Sequence, residues 1–410
     1  MTQDVSVAHG ETVSLGRVEG RLDVAHGGSI RAAEGNLVVV SGEARFRGSA
    51  NIDCDFECAG LTVERAGKLA VSGDLTVHGK VDVSNAVSVR GLMKAETIDV
   101  GGRLTARSVS CKRMRVGGIA EVWELLEAGL VEVGGKIESK GTLKVEELRV
   151  GGQADIGGGS IKGIVNVGGK FRSSAKLEFG ELQVFGACSL APGSKGMKID
   201  ASGKLEAKGD LECEVVEIAG VASVEGNLTT SRTEVRGKLD VAGSLRASGG
   251  LDASGVSQVG GVFEGQSLKV AGRFSAKRAL VSSGAEIYGR AETREGLKAA
   301  TVRIGSGTVC TGPIVGETVE VGESGPGVSA FFWGQRLRVQ AGTSRVDDVY
   351  ATKVSLGPGS RAGHIYAATV SLGPGCDVDA VTYVDELKVT EHVKIAHPVQ
   401  KVDRLKEPPL

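Results

Sequence analysis

The chain has 410 residues, of which 63 are glycine and 8 are proline, and aromatic residues make up only 4%. Its 41% hydrophobic content and net charge of −1 exclude a disordered chain and give no indication of nucleic-acid binding. No apolar run approaches the roughly 18 residues of a transmembrane helix, and the first ten residues do not resemble an export signal, so we expect a cytoplasmic protein.

Residues 1–60 alternate apolar and polar residues in segments such as ETVSLG and ANIDCDFEC, which predicts β-strands. Their register against the rest of the chain is not evident, and we assign them to N-terminal turns of the same coil. Cys54, Phe56 and Cys58 occupy alternate positions, which place them on one face of a strand. A buried stripe explains this spacing better than a pair of metal ligands does.

Residues 61–390 carry an internal repeat with a period of about 17 residues, in the range typical of solenoid proteins. One apolar position recurs just before a small corner residue, usually glycine, and we name it the first column. The predicted first column is Ala66, Val83, Val100, Val116, Val133, Val150, Val167, Val184, Ala201, Ile218, Val235, Ala253, Val270, Ile287, Ile304, Val321, Val339, Leu356, Leu372 and Val389. A second apolar column lies four residues further on: Leu104, Ala120, Ile137, Ala154, Phe171, Cys188, Leu205, Ala222 and Leu239.

The apolar positions within each repeat alternate with period two, which is the periodicity of strands and not of helices. The repeat is also too short for helical-pair repeats, which begin at about 33 residues. We therefore predict an all-β fold, a parallel β-helix with three short strands per turn and about 24 turns. In such a coil each turn is stabilised mainly by its neighbours, and the two ends stay open.

The corners change from Gly322 onwards, where GESGPG is followed by SLGPGS and SLGPGC. Residues 391–410 lose the regular glycines and are predicted to form a C-terminal cap and a short tail.

Phe331, Phe332 and Trp333 are the densest aromatic cluster, and in an extended strand they cannot all face a thin core. They are therefore a candidate interaction patch, although a bulge that tucks two of them inside is an equal alternative.

No catalytic, cofactor-binding or metal-binding residues are assigned. The seven cysteines are scattered without a CxxC pair, which favours buried thiols over a zinc site. Only His392 and His397 lie near each other among the six histidines, and we expect both to be solvated. The GxGxxG and GxxxxGK[ST] phosphate loops require a following helix, which is not predicted. We expect a protein that is not an enzyme, although a monomeric binding module or a carbohydrate-active β-helix remains the alternative.

The glycine-punctuated stretches GKLAVSGDLTVHGKVDV, VEVGGKIESKGTLKVEELRVGG and GKLDVAGSLRASGGLDASG resemble the bactofilins, which are polymer-forming cytoskeletal proteins. The resemblance implies a right-handed β-helix that joins end to end into filaments without nucleotide and serves as a scaffold. It also implies that the partner is the protein itself, with other cytoskeletal or envelope-associated proteins as further candidates. This chain is several times longer than a typical member and lacks the short apolar N-terminal segment by which many members attach to membranes.

Overall fold

The computed structural model describes residues 3–322 and 343–409, together with the backbone of residues 330–332 and 335–337. The strands of these residues form a parallel β-solenoid whose successive turns lie about 17 residues apart, and the described part contains no helix. The predicted fold class is therefore confirmed. The described residues make about 22 turns, fewer than the 24 expected.

The chain divides into two compact units, Met1–Met197 and Lys198–Leu410, which we call the first and second unit. The strands up to residue 190 are β1 Val5–Val7, β2 Thr12–Leu15, β3 Arg17–Val18, β4 Leu22–Val24, β5 Ser29–Ala32, β6 Leu37–Phe46, β7 Ala50–Ile52, β8 Asp55–Val63, β9 Lys68–Val71, β10 Leu75–Val77, β11 Lys80–Val83, β12 Ala86–Val100, β13 Arg103–Val116, β14 Ile119–Val133, β15 Lys136–Val150, β16 Gln153–Val167, β17 Lys170–Ser173, β18 Leu177–Val184 and β19 Ala187–Leu190.

The remaining strands are β20 Ser194–Ala201, β21 Lys204–Ala207, β22 Leu211–Ile218, β23 Val221–Val224, β24 Leu228–Val235, β25 Lys238–Val241, β26 Leu245–Ala253, β27 Val256–Val259, β28 Val262–Val270, β29 Arg273–Ala276, β30 Arg278–Ile287, β31 Arg290–Thr293, β32 Leu297–Lys298, β33 Thr301–Ile304, β34 Val309–Thr311, β35 Ile314–Val321, β36 Ala330–Phe332, β37 Gln335–Leu337, β38 Arg345–Val346, β39 Val349–Leu356, β40 Arg361–Leu372, β41 Asp377–Val389, β42 Lys394–Ile395 and β43 Gln400–Lys401.

The pairing of β12 with β13 shows how one turn is built. Three segments of β12, residues 86–89, 92–95 and 97–100, pair in parallel with three segments of the next turn. One or two corner residues separate the segments, so a single long strand contributes three short pairing segments per turn. Glycine is required at the corner between turns, because a Cβ on Gly118 would overlap the carbonyl oxygen of Gly102 one turn earlier.

The first column forms a continuous buried ladder in the first unit. Val83, Val100, Val116, Val133, Val150, Val167 and Val184 pair in that order. The second column, from Leu104 to Cys188, stacks in the same way. Both predicted columns are therefore confirmed over these turns, and their side chains are buried.

The structure corrects the predicted start of the first column. Val83 pairs with Val63, and Ala66 instead lies in a turn with a positive φ of 54°. From Val63 the column continues back through Phe46, Val24 and Val7. These pairings also supply the register of residues 1–60, in which some turns are longer than the regular repeat. Cys54, Phe56 and Cys58 are buried side by side, as predicted.

A second correction concerns Val339 in the second unit. Val339 lies outside the described residues, and in the ladder Ile304 pairs with Val321, which pairs directly with Leu356. The ladder resumes at the regular spacing with Leu372 and Val389. Val321 and Leu356 are thus neighbours in the ladder although they are separated along the chain by close to two repeats.

Candidate functional site

The predicted aromatic patch lies outside the described side chains. Phe331 and Phe332 belong to β36, whose backbone pairs in antiparallel fashion with β37, and Trp333 is not among the described residues. The proposed role of this patch stays a prediction.

The last turn of the second unit leaves core positions uncovered. Leu372 of the first column is fully buried, whereas Val389, its neighbour in the next turn, is 48% exposed. Leu387, two residues earlier, is also partly exposed. The strands β42 and β43 pair only with residues 377–378 and 382–383 of β41. Within the described chain, the outer edge of residues 386–389 therefore has no strand partner.

Among the described residues, the first turn of the first unit pairs only with the turn that follows it. Val5 pairs with Leu22 and Val13 pairs with Ile30, both in the following turn. Val5 and Val13 are partly exposed, whereas Leu22 and Ile30 are fully buried. Val5 occupies the same repeat position as Leu387, two residues before the first column. Open edges with uncovered apolar side chains are the usual places where strands pair with another chain.

A groove in the first unit was not predicted. We call it the corner groove: it has a volume of about 740 Å³, and six successive turns line it. The apolar side chains of its floor are Val77, Ala95, Cys111, Ala128 and Val145, and most residues on either side are charged. The sequence signal that could have revealed this groove is a small residue that recurs once per repeat, in KAE, SCK and EAG.

The cysteines do not form a reactive centre among the described residues. Six are buried as predicted, and the seventh, Cys111, is only partly buried because it lies in the floor of the corner groove. Burial raises the pKa of Cys58, Cys111 and Cys188 to about 12, which keeps these thiols protonated and weakly nucleophilic at neutral pH.

Two of the histidines lie together in the fold, and no larger histidine cluster is found in the described residues. His9 and His26 stack with ring centroids 5.6 Å apart, and His78 contacts Glu57 at 2.8 Å. His392 and His397 are both exposed. No group of three metal-ligating side chains is found in the described ranges. The same ranges hold no helix that is long and apolar enough to cross a membrane.

Comparisons with protein-family models, with curated proteins and with solved structures found no match to this chain.

Proposed function

We propose that this protein is a non-catalytic scaffold that associates end to end without nucleotide, as its resemblance to the bactofilins implies. The observation that carries the proposal is the exposure of Val389, a core-column residue, on a strand edge that has no partner among the described residues. A buried column that ends in an exposed member is an incomplete stack. A second copy could complete it.

The first turn of one copy suits the last turn of another. Leu387 and Val389 occupy the repeat positions that Val5 and Val7 occupy in the first turn. Docking would extend two columns and continue the parallel ladder across the junction. The contact joins two different surfaces, so it is heterologous and produces an open chain of copies unless the rotation closes a ring.

The test is Val389→Lys, compared with the wild-type protein by analytical ultracentrifugation and electron microscopy without nucleotide. A lysine in the proposed junction would place a charge among apolar side chains, and we expect the concentration for half-assembly to rise at least about tenfold. Its matched control is Val221→Lys. Val221 is 47% exposed but lies on a strand paired on both edges, with Lys204 and Lys238.

Equal assembly of the wild type and Val389→Lys would exclude this junction. A wild-type protein that stays monomeric up to high concentration would contradict self-association altogether and favour the monomeric binding module. A fall in assembly with both lysine variants would indicate a general charge effect instead of a junction at the last turn.

A further inference from the structure

The last turn of the second unit is covered at two of its three pairing segments. β42 covers the first segment of β41, and β43 covers the second. Val402 continues the ladder of β43, because its N–H donates to the carbonyl oxygen of Tyr383 at 2.9 Å. Residues 403–409 then have no regular secondary structure and are mostly exposed. The described chain thus reaches the third segment, residues 386–389, without pairing with it.

The register of β43 determines which residues can reach the third segment. In β41 this segment begins at Glu386, three residues after the partner of Lys401. The same step along the chain from Lys401 leads to Arg404. In this register Arg404 stacks on Glu386. Leu405 stacks on Leu387, and both of these leucines are partly exposed while the segment is uncovered.

Charge and polarity favour this register over the shorter alternative. A step of two residues, which β40 takes at this corner, would stack Asp403 on Glu386 and direct Arg404 towards the core. The step of three residues stacks opposite charges and apolar side chains instead. It also stacks Lys406 on Lys388, whose charge is paired with Glu386 at 3.2 Å. The longer step therefore leaves fewer unfavourable contacts.

Backbone hydrogen bonds would hold the segment in this register. By the pattern of parallel strands, the N–H groups of Leu387 and Val389 would donate to it, and the N–H of Lys406 would donate back to Leu387. In the preceding turns, the residue after the first column donates to the column carbonyl one turn earlier. Pro408 takes that position here, and proline has no N–H, so the pairing would end at residue 407.

We propose that residues 404–407 form a strap that closes over the third segment of the last turn and blocks the end-to-end junction. This regulation rests on the proposed function, since Leu405 then takes the place on Leu387 that Val5 of a second copy would take. Only two residues separate the strap from β43, so its effective concentration is high. It makes few hydrogen bonds and ends at a proline, so a second copy can displace it.

Hydrogen exchange of the peptide 384–390, at protein concentrations below assembly, tests the closure. Leu405→Lys places a charge against the core and opens the strap, so the amides of Leu387 and Val389 should exchange about tenfold faster than in the wild type. The matched control is Val399→Lys. Val399 is 40% exposed, belongs to the same terminal region and lies outside the strap. Equal exchange in all three proteins, or equally faster exchange in both variants, would overturn the strap.

Sedimentation of the same three proteins tests the regulation. Only the open fraction can assemble, so Leu405→Lys should lower the concentration for half-assembly by the factor by which it speeds exchange. Unchanged assembly despite faster exchange would overturn the regulatory role. Faster exchange in a protein that never assembles would refute the end-to-end junction, and the regulation with it, while the closure would stand.

A disulfide provides a second test that adds no charge. Stacked positions of adjacent turns lie within the Cα separations of disulfides, so Leu387→Cys with Leu405→Cys should cross-link within one chain. The oxidised form should assemble far less than the same variant after reduction. Leu387→Cys with Val399→Cys is the control and should not cross-link, since Val399 precedes β43 at another segment of the turn. No cross-link in the first pair, or equal assembly of its oxidised and reduced forms, would overturn the proposal.

Discussion

The same outward position of the repeat carries a different order of charges in one stretch of each unit. It is the residue immediately before the first column, and in successive turns its side chains stack at about 4.8 Å. In the first unit the charges alternate over four turns, through Asp99, Arg115, Glu132 and Arg149, after Asp82 and Asp99 stack as two acids. In the second unit the order begins with four acids, Asp200, Glu217, Glu234 and Asp252, before Lys269 follows.

Alternation places each charge between opposite neighbours. Glu132 lies 3.0 Å from Arg115 in the previous turn and 3.7 Å from Arg149 in the next. Its carboxylate is thus shared between two guanidinium groups. A solenoid can repeat this arrangement in every turn, because equivalent positions are always neighbours.

The acidic stack of the second unit has the opposite electrostatics. Burial raises the pKa of both Glu234 and Asp252, and Arg232 lowers both. Glu217 and Asp252 raise the pKa of Glu234 further. Compensation is partial: Arg232 pairs with Glu234, and Lys198 contacts Glu217 at 3.2 Å. A register shift in the pairing of β24 with β26 accompanies this stack. Stacking of equivalent positions therefore stabilises a column of alternating charges and destabilises a column of like charges.

One inward column of these turns differs between the units, although the first unit also holds a buried hydroxyl without a described partner, that of Ser139. In the first unit Ile137 stacks between Ala120 and Ala154, so large and small apolar side chains alternate. In the second unit Ser257 stacks between Leu239 and Phe274. Its side chain is fully buried, and its hydroxyl has no hydrogen-bond partner in the described part of the chain.

Placing a buried serine in the apolar column of Ile137 should have the largest effect on stability. Ile137→Ser combines the loss of a large buried side chain with an unsatisfied hydroxyl, and we expect about 3 kcal/mol or more of destabilisation. Guanidinium unfolding followed by circular dichroism measures it. The control Ile137→Val keeps the shape and should cost about 1 kcal/mol. A serine variant no less stable than the valine variant would contradict the close packing of this column.

Removing the buried unpaired hydroxyl of Ser257 from the second unit should have a smaller effect on stability, of opposite sign. Ser257→Ala deletes an unpaired buried hydroxyl and should raise stability by about 1 to 2 kcal/mol. Ser344→Ala is the control. The hydroxyl of the buried Ser344 accepts from Gly307 N at 3.2 Å and donates to Gly305 O at 3.1 Å, so its loss should destabilise. Hydrogen exchange of peptides around each site separates the two responses, and equal signs would refute the assignment.

Neutralising the acidic stack should stabilise the second unit at neutral pH. Asp252→Asn removes a like charge from the stack, and we expect a gain of about 1 kcal/mol at pH 7. The pKa of Asp252 is raised in the folded chain, so folding favours protonation and the penalty is present above that pKa. The gain should shrink as the pH falls through the raised pKa towards 3.8, its ordinary value. Denaturation midpoints from pH 4 to pH 8 measure the difference, and a gain independent of pH would contradict the electrostatic cause.

The sequence was sufficient for the columns because every core position repeats, and a single period aligns them all. The predicted column was wrong where extra residues lie between two successive column positions. The turn at Arg65 and Ala66 makes the step from Val63 to Val83 longer than one regular repeat, so counting back by one period from Val83 reached Ala66. The separation of Val321 and Leu356 along the chain is close to two periods, which gave Val339 a false place in the column.

Sites were harder to predict than columns. The corner groove depends on which corner is concave, and this follows from backbone angles that the apolar pattern does not encode. The exposure of Val389 could not be read from its sequence, because GLTV and ELKV alternate alike whether or not another turn covers them. The open ends expected of any coil predict end-to-end association, which stays a prediction.

The smallest expected effect tests whether alternation itself contributes to stability. Glu132→Lys would place three cations in succession, at residues 115, 132 and 149, and so reproduce in the first unit the like-charge order of the second. The two arginines are largely solvated and Glu132 is partly exposed, so we expect a loss of only about 0.5 to 1 kcal/mol at low salt, and most of it should disappear in 1 M salt. Glu132→Gln, which removes the pairing without adding repulsion, should lose about half as much. Unfolding midpoints at the two salt concentrations measure both variants. A loss of the same size in low and high salt would attribute the effect of residue 132 to packing and would contradict a role for charge order.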